Sequence, residues 1–406
     1  MQDENKTAPV RRDWLKAAGG LLILNPKRVF GSEANSTVEV GIVGCGNRGN
    51  WIGPFFPEFA GARIVALADV VKANLEKTVA KFQVPNSRAY YGPEAYKELA
   101  HSKLDAVVIE TPPYFHPEHA EAAVEAGKHV FLAKPVAVDV PGCKSILASG
   151  NKAKAKKLSY LVDFQSRAQP VFQELVTRIH RGDLGKVMLA QVYYFASRPS
   201  PDKSKPGMDP AQAEIANFYM HKVYGGDIIV EQNIHVIDMA NWYLKAHPVK
   251  ACGTGGRTDW SGTPYEHHND AYDHFAVTFW YPDGVHASFA SHQLTRAYSD
   301  LCVRCFGILG AADTHYGGRV EILGQNKWLG TEKDDTFRSG AINNVKTFIQ
   351  SIRDGKPVNN VETAVESNLT AILGRMAAYQ ERMVTWDEML RSTERLVPKT
   401  PPKLRW

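Results

Sequence analysis

Short apolar runs and amphipathic segments take turns through the first part of the chain. The runs VEVGIVG, ARIVALAD, LDAVVIE, KHVFLA and LSYLVD are almost wholly apolar, the pattern of strands buried on both faces. Between them, PEHAEAAVEAG, closed by Gly127, and VPGCKSILASGNKAKAKK carry the spacing of helices with one apolar face. Strands alternating with helices predict a doubly wound parallel sheet, with a ligand crevice at the strands' carboxyl ends. From about Lys186 the rhythm changes to long alternating runs, KVMLAQVYYFA, YDHFAVTFWYPDGVHASFASHQL and LCVRCFGILGA. The second of these holds a Pro-Asp-Gly turn, and alternation with such turns predicts an antiparallel sheet. Its expected partners are helices at about Ile234 to Leu244, in INNVKTFIQSIRDG and in VETAVESNLTAILGRMAAYQ. The expected fold class is α/β followed by α+β. The parallel sheet falls at 37–157, a mostly antiparallel open sheet packed on helices at 158–385, and a tail at 386–406.

With 406 residues, 44% of them hydrophobic and 22% charged, the chain can build two cores. A formal net charge of +5 is mild, and the basic residues are spread along the chain without a basic helix or zinc-finger spacing. Nucleic acid is therefore not an expected partner. No internal apolar run approaches the ~20 residues of a membrane span. Five cysteines are too few for a disulfide framework. Cys302 and Cys305, three apart in a strand pattern, should point to opposite faces and simply pack. The segment EHHND (266–270) lacks a third spaced ligand, so no metal site is expected.

Near the start stands RRDWLKAAGGLLIL. Arg11, Arg12, Trp14, Leu15 and Lys16, followed by a short apolar stretch broken by Gly19 and Gly20, resemble the twin-arginine export motif. SEA (Ser32 to Ala34) supplies small residues for cleavage. Residues 1–34 are therefore expected to be an export signal, and the protein periplasmic.

The first strand runs into Gly44-x-Gly46-x-x-Gly49, and the next ends in an acid, Asp69, twenty residues past Gly49. That context predicts a Rossmann domain holding a dinucleotide. Gly44 allows the tight turn, Gly46 the close approach of a pyrophosphate, and Gly49 close helix–strand packing. Asn47 and Arg48 complete the loop as the helix begins. Asp69 would accept hydrogen bonds from the adenosine ribose and favours NAD, while Arg48 and Lys72 leave NADP open. The ends of the following strands bring Thr111, Pro112, Pro113, His116, Lys134 and Pro135 to the nicotinamide side.

TPPYFHPEHAEAAVEAGKHVFLAKPVA, GDLGKVMLAQVYYF and GGDIIVEQNIHVID resemble signature segments of the glucose–fructose oxidoreductase/inositol dehydrogenase (Gfo/Idh/MocA) family. Two departures stand out. The family's Glu before Lys-Pro is Ala133, and its Asp four residues before the histidine is Glu231. A helix continuous from about Glu231 would put Glu231, His235 and Asp238 on one face. The resemblance implies hydride transfer between a tightly bound NAD or NADP and a secondary hydroxyl of a sugar, glycoside or cyclitol. His235 and Lys134 would be the candidate bases, with Glu231 orienting His235 or binding a hydroxyl. Arg167 and Tyr219 join as substrate-binding candidates, with His221 and Tyr224 behind them. The resemblance also implies a homodimer or homotetramer through the second sheet. Since free NAD is not regenerated outside the inner membrane, an exported member must close its own redox cycle. It would do so by swapping two substrates, or as a redox-neutral glycosidase or lyase through a transient 3-keto sugar. A non-catalytic nucleotide- or sugar-binding protein is the third alternative.

Overall fold

The computed structural model describes residues 37–198, 201–264, 266, 270–294, 298–330 and 335–398. The arginine pair and the segment expected to direct export lie outside the described residues. No helix among the described residues is long and apolar enough to cross a membrane.

The first sheet has six parallel strands: β1 (Glu39–Val43), β2 (Arg63–Asp69), β3 (Ala89–Tyr91), β4 (Ala106–Ile109), β5 (His129–Leu132) and β6 (Tyr160–Val162). Their order is β3-β2-β1-β4-β5-β6, so the chain reverses direction across the sheet between β1 and β4. That switch is where an open α/β sheet leaves a crevice. Every residue of β4 is buried, as its apolar run predicted. The helix Val140–Ala155 starts where Asp139 accepts a hydrogen bond from the Gly142 N–H, capping the free donors of its first turn.

The second sheet has nine strands: β7 (Val187–Ala196), β8 (Lys250–Gly256), β9 (His274–Trp280), β10 (His286–Gln293), β11 (Asp300–Gly307), β12 (Gly310–His315), β13 (Val320–Gly324), β14 (Trp328–Leu329) and β15 (Val384–Thr385). They run β14-β13-β12-β11-β7-β10-β9-β8-β15, antiparallel except where β7 pairs β10. The Pro-Asp-Gly turn joins β9 to β10. Asp283 and Gly284 both take positive φ (59° and 77°), as a tight hairpin requires. Alternation along β7 sends Ala190, Val192 and Tyr194 into a core shared with Ile237 and Tyr243 of the helix Ile234–Leu244 and with Leu369 and Ile372 of the helix Val361–Gln380. Leu189, Gln191, Tyr193 and Phe195 take the opposite face. Cys302 pairs with Tyr193 and Cys305 with Ala190, so these two free, buried cysteines do point to opposite faces.

One expected sheet partner packs elsewhere. The helix Thr336–Arg353 carries Ala341, Val345, Phe348 and Ile349 into the core of the first sheet, beside Phe56 and Phe131. Its stripe at i, i+4 and i+7 is apolar whichever sheet receives it. The ring of Phe348 meets that of Phe131 edge-on, with centroids 5.5 Å apart.

Candidate active site

A cavity of about 630 Å³ opens at the carboxyl ends of β1, β2, β4 and β5. The glycine loop forms one wall. Gly44 has φ +97°, and a Cβ there would stand 2.7 Å from the backbone of Glu110. Gly46 has no heavy atom within 4 Å of where its Cβ would be, so its backbone lies bare to the approach a pyrophosphate makes. Gly49, a cofactor residue by motif, does not line the cavity. A Cβ on it would fall 2.0 Å from the Gly44 carbonyl, so its contribution is helix–strand packing behind the loop. Asp69 ends β2 and accepts from the N–H groups of Cys45 and Val71, each at 2.6 Å. Burial pushes its pKa up to about 6. Asn47 and Arg48 line the cavity. The Arg48 guanidinium binds Asp163, stands 3.5 Å from Glu110 and covers Trp51. Lys72 pairs with Glu76 in its own helix and is not on the cavity wall.

At the other end of the cavity Lys134, Glu231 and His235 come together. Lys134 Nζ donates to the Glu231 carbonyl at 2.5 Å and stands 3.4 Å from its carboxylate. Burial pulls the Lys134 ammonium below its ordinary pKa, with Glu231 opposing that shift and Arg48 adding to it. Burial raises Glu231 in turn, and Lys134 holds it down. The His235 imidazole makes no hydrogen bond to a described residue; its ring is met edge-on by Tyr316 and Phe337 at 5.5 and 5.6 Å. Burial, with Lys134 and Arg48 near, drops its pKa well below the ordinary value, so the imidazole is neutral. Tyr219 also lines the cavity and stacks on Phe218.

Other sequence candidates go elsewhere. The helix expected to be continuous from Glu231 is broken. One short helix ends at Glu231 and the next begins at Ile234; Glu231 and His235 line the cavity, and Asp238 does not. Asp238 is fully buried and takes both Nε and a terminal nitrogen of Arg167, at 2.8 and 2.9 Å, plus the Ser367 hydroxyl. Arg167, expected to bind substrate, is spent on that ion pair and on the face of Trp242. His116, expected beside the nicotinamide, is wholly buried and off the cavity. Its Nδ1 lies 2.8 Å from the Pro135 carbonyl and its Nε2 2.7 Å from that of Thr111, and the neutral ring donates to one of the two, packed between the loops after β4 and β5. Thr111 and Pro112 do line the cavity. His221 and Glu266 line a second, separate cavity, and His267 and His268 lie outside the described residues. Asp300, Cys302 and His315 bring donor atoms within 4.8 Å of one another, but on the second sheet, where His315 bonds Asp300 and Arg304 bonds Asp313.

Several wall residues escaped the sequence reading. Glu110 and Gln165 come from strand ends, and Lys203, Lys205, Met208 and Phe218 from a segment between β7 and β8. That segment, DKSKPGMDPAQAEIANFYM, has no motif; its one signal is polar length between two strand patterns.

A parallel sheet carrying a glycine-loop cavity, with a lysine, an acid and a histidine at its far end, defines a nicotinamide-dependent oxidoreductase architecture. The model of an oxidoreductase family with an NAD-binding Rossmann fold matches residues 38–162, and that of the GFO/IDH/MocA C-terminal domain matches 172–329. The chain belongs to the Gfo/Idh/MocA oxidoreductase family. It is 27% identical over 195 residues to scyllo-inositol 2-dehydrogenase (NAD(+)) of Bacillus subtilis, covering 48% of this chain and 50% of that one. It is 29% identical over 218 residues to inositol 2-dehydrogenase of Rhizobium meliloti, covering 54% and 58%. A 40% identical stretch of 111 residues matches a glycosyl hydrolase family 109 protein of Streptomyces niveus, covering 26% and 22%. The matches thus span about half or less of the length of these relatives. Among solved structures, levoglucosan dehydrogenase in complex with NADH and levoglucosan superposes with a TM-score of 0.70 at 17% identity, covering 86% of this chain and 99% of that one. Scyllo-inositol dehydrogenase of Lactobacillus casei with NAD(H) and scyllo-inositol gives 0.67 at 18%, with the same coverage. At such identity the likeness is one of fold.

Proposed function

We propose that the protein oxidises a secondary hydroxyl of a sugar, glycoside or cyclitol with a tightly held NAD. The observation that carries this reading is a neutral His235 and a depressed Lys134 facing the same cavity as the bare Gly46 backbone. Gly44, Gly46 and Asn47 would hold the pyrophosphate side and Asp69 the adenosine ribose. The engagement of Arg48 with Asp163 supports NAD over NADP. Bound NAD supplies the acceptor for the hydride that leaves the substrate carbon. The hydroxyl proton goes to His235, whose imidazole is neutral, or to Lys134, whose ammonium burial shifts toward the neutral form. Glu231, whose Oε2 has no hydrogen-bond partner among the described residues, accepts from a neighbouring substrate hydroxyl. The names of the inositol and levoglucosan dehydrogenases support polyhydroxylated rings as the substrate class. Export by the twin-arginine route, with cofactor already bound, and assembly through the second sheet belong to the same proposal.

The test is incubation of purified protein with a panel of cyclitols, aldoses and glycosides, following absorbance of reduced nicotinamide and product mass. Oxidation of a ring hydroxyl supports the proposal. Cleavage of a glycoside without net NADH would replace it with the redox-neutral reading. Bound nucleotide with no chemistry across the panel would point to the binding protein.

A further inference from the structure

Glu110 follows β4 directly and lines the cavity, yet its side chain is completely buried. Neither of its oxygens has a hydrogen-bond donor among the described residues. The nearest cation, Arg48 Nε, stands 3.5 Å away, and Arg48 gives a terminal nitrogen to Asp163 instead. Asp163 is saturated by comparison, accepting also from Gln165 at 2.7 Å and Asn344 at 2.8 Å. Arg48 is thus shared between two buried carboxyl groups, and a Glu110 carboxylate without hydrogen-bond donors stays costly to ionise unless a further cation meets it.

Position indicates what meets it. The two halves of a dinucleotide lie on either side of the switch between β1 and β4. Asp69, at the end of β2, marks the adenosine half. Glu110 after β4, Lys134 after β5 and Asp163 after β6 belong to the other half, where the nicotinamide lies. The charged groups acting on one another there are Glu110, Asp163 and Glu231 against Arg48 and Lys134. With all five ionised the carboxylates outnumber the cations by one, and an oxidised nicotinamide ring carries one positive charge where the reduced ring carries none.

We propose that Glu110 is the counter-charge for the oxidised nicotinamide ring, so that this protein holds NAD+ in preference to NADH. The proposal deepens the reading of the cavity as an NAD site and rests on it. Burial pushes the Glu110 pKa up to about 8, with Arg48 and Lys134 pulling it down and Asp163 pushing it further up. A cation bound beside Glu110 favours its ionised form. NAD+ binding therefore releases a proton below about pH 8 and tightens as pH rises toward it. Lys134, with its own lowered pKa, loses charge in the same direction, so the pH effect must be compared with a variant that lacks the Glu110 carboxyl group. Each tenfold preference for NAD+ lowers the potential of the bound two-electron couple by about 30 mV.

The experiment is the ratio of NAD+ to NADH dissociation constants between about pH 6.5 and about pH 9, for wild type, Glu110→Gln and Glu110→Asp. It is read by titration where cofactor exchanges, and from the midpoint potential of the bound couple where it does not. Glu110→Gln should weaken NAD+ about tenfold or more with NADH unchanged, the scale of losing one opposite charge nearby in a buried site, and should flatten part of the pH dependence. Glu110→Asp should keep most of the preference. Equal weakening of both cofactor forms in Glu110→Gln, or no change in either, overturns the proposal. Should Glu110→Gln fail to fold, wild-type NAD+ affinity that is flat over this pH range overturns it as well. A wild type that binds neither form would take down the reading of the cavity along with the inference, whereas failure to oxidise any sugar would leave the inference standing.

Discussion

Lys134 and His235 compete for one proton, and their surroundings separate them. Lys134 is tethered to Glu231 through two contacts, while the His235 imidazole has no hydrogen-bond partner among the described residues and is held by Tyr316 and Phe337. Lys134→Ala and His235→Ala should each cut kcat by about 10²- to 10⁴-fold, the usual worth of a positioned acid–base group, with nucleotide still bound on denaturation and mass analysis. Wild-type rates in both variants would remove them from the chemistry. His116 calls for a different measurement. Burial drops its pKa to about 4 against an ordinary 6.5, so the unfolded chain takes up a proton in that window and the folded protein does not. Stability that depends on neutral His116 is therefore complete above about pH 6.5 and lost as pH falls through about 4. Between pH 7 and pH 5 the loss is about 2 kcal/mol. Urea unfolding of His116→Gln should be flatter than wild type by that amount over the same range. Comparing the two proteins cancels Asp69 and the other groups that titrate in both. At this scale the sequence showed what its local motifs contain. Lys134, Glu231 and the glycines could be read from a few neighbouring residues. Glu110 could not, because nothing in VVIETPP says its carboxyl will be buried among Arg48, Asp163 and Lys134. Its neighbour was half visible. Ala133 read as a lost acid, but only strand pairing, with the Ala133 N–H on the Ile109 carbonyl, shows that the next strand ends in one.

Elements decide which motif residues reach the cavity. The break after Glu231 is the clearest case, since periodicity alone extends a helix through QNIH and puts Glu231 one turn before His235 on the same helix. A four-residue helix ends at Glu231 and another starts at Ile234, so the chain turns between Glu231 and His235, while Asp238, further along the second helix, is taken up by Arg167. The glycine loop shows the converse, three glycines of one motif doing separate jobs. Gly49→Ala places a methyl 2.0 Å from the Gly44 carbonyl, so the helix must withdraw from β1. We expect a loss of about 3 kcal/mol, at the upper end of overpacking costs, visible as a lower midpoint in thermal unfolding. Gly46→Ala meets nothing within 4 Å, and its negative φ of −72° suits alanine. That variant should unfold like wild type yet bind NAD at least about tenfold more weakly, because its methyl fills the approach to the backbone. If Gly46→Ala binds NAD normally, the pyrophosphate does not lie where the loop places it. The segment with Lys203 and Lys205 remained illegible for a physical reason: it lines the cavity through tertiary placement and carries no periodic pattern of its own.

Across the whole molecule, the two apolar patterns sort themselves by which surfaces remain to be covered. The helix Thr336–Arg353 follows the second sheet in sequence but closes the core of the first, where Phe348 meets Phe131. Its amphipathic stripe was legible; its destination was not, since an apolar face carries no address. The same reasoning applies to the second sheet's far side. Pairing aligns Leu189 with Phe306, Phe306 with Ala311 and Ala311 with Leu323, an apolar row crossing four strands on the face opposite the core. Leu189 and Leu323 are 39% and 45% exposed, and Ile308, in the turn beside them, is 71% exposed. A contiguous apolar row of this kind marks an interaction surface, and a sheet face is self-complementary enough to meet a second copy of itself about a two-fold axis. We therefore expect light scattering to give a dimer or tetramer at micromolar concentration. The double variant Leu189→Glu, Leu323→Lys should shift it to monomer while leaving circular dichroism and NAD binding intact, because neither side chain touches the core or the cavity. A wild type that is monomeric throughout that range would leave the row to some other partner. A double variant that stays assembled would move the interface off this face.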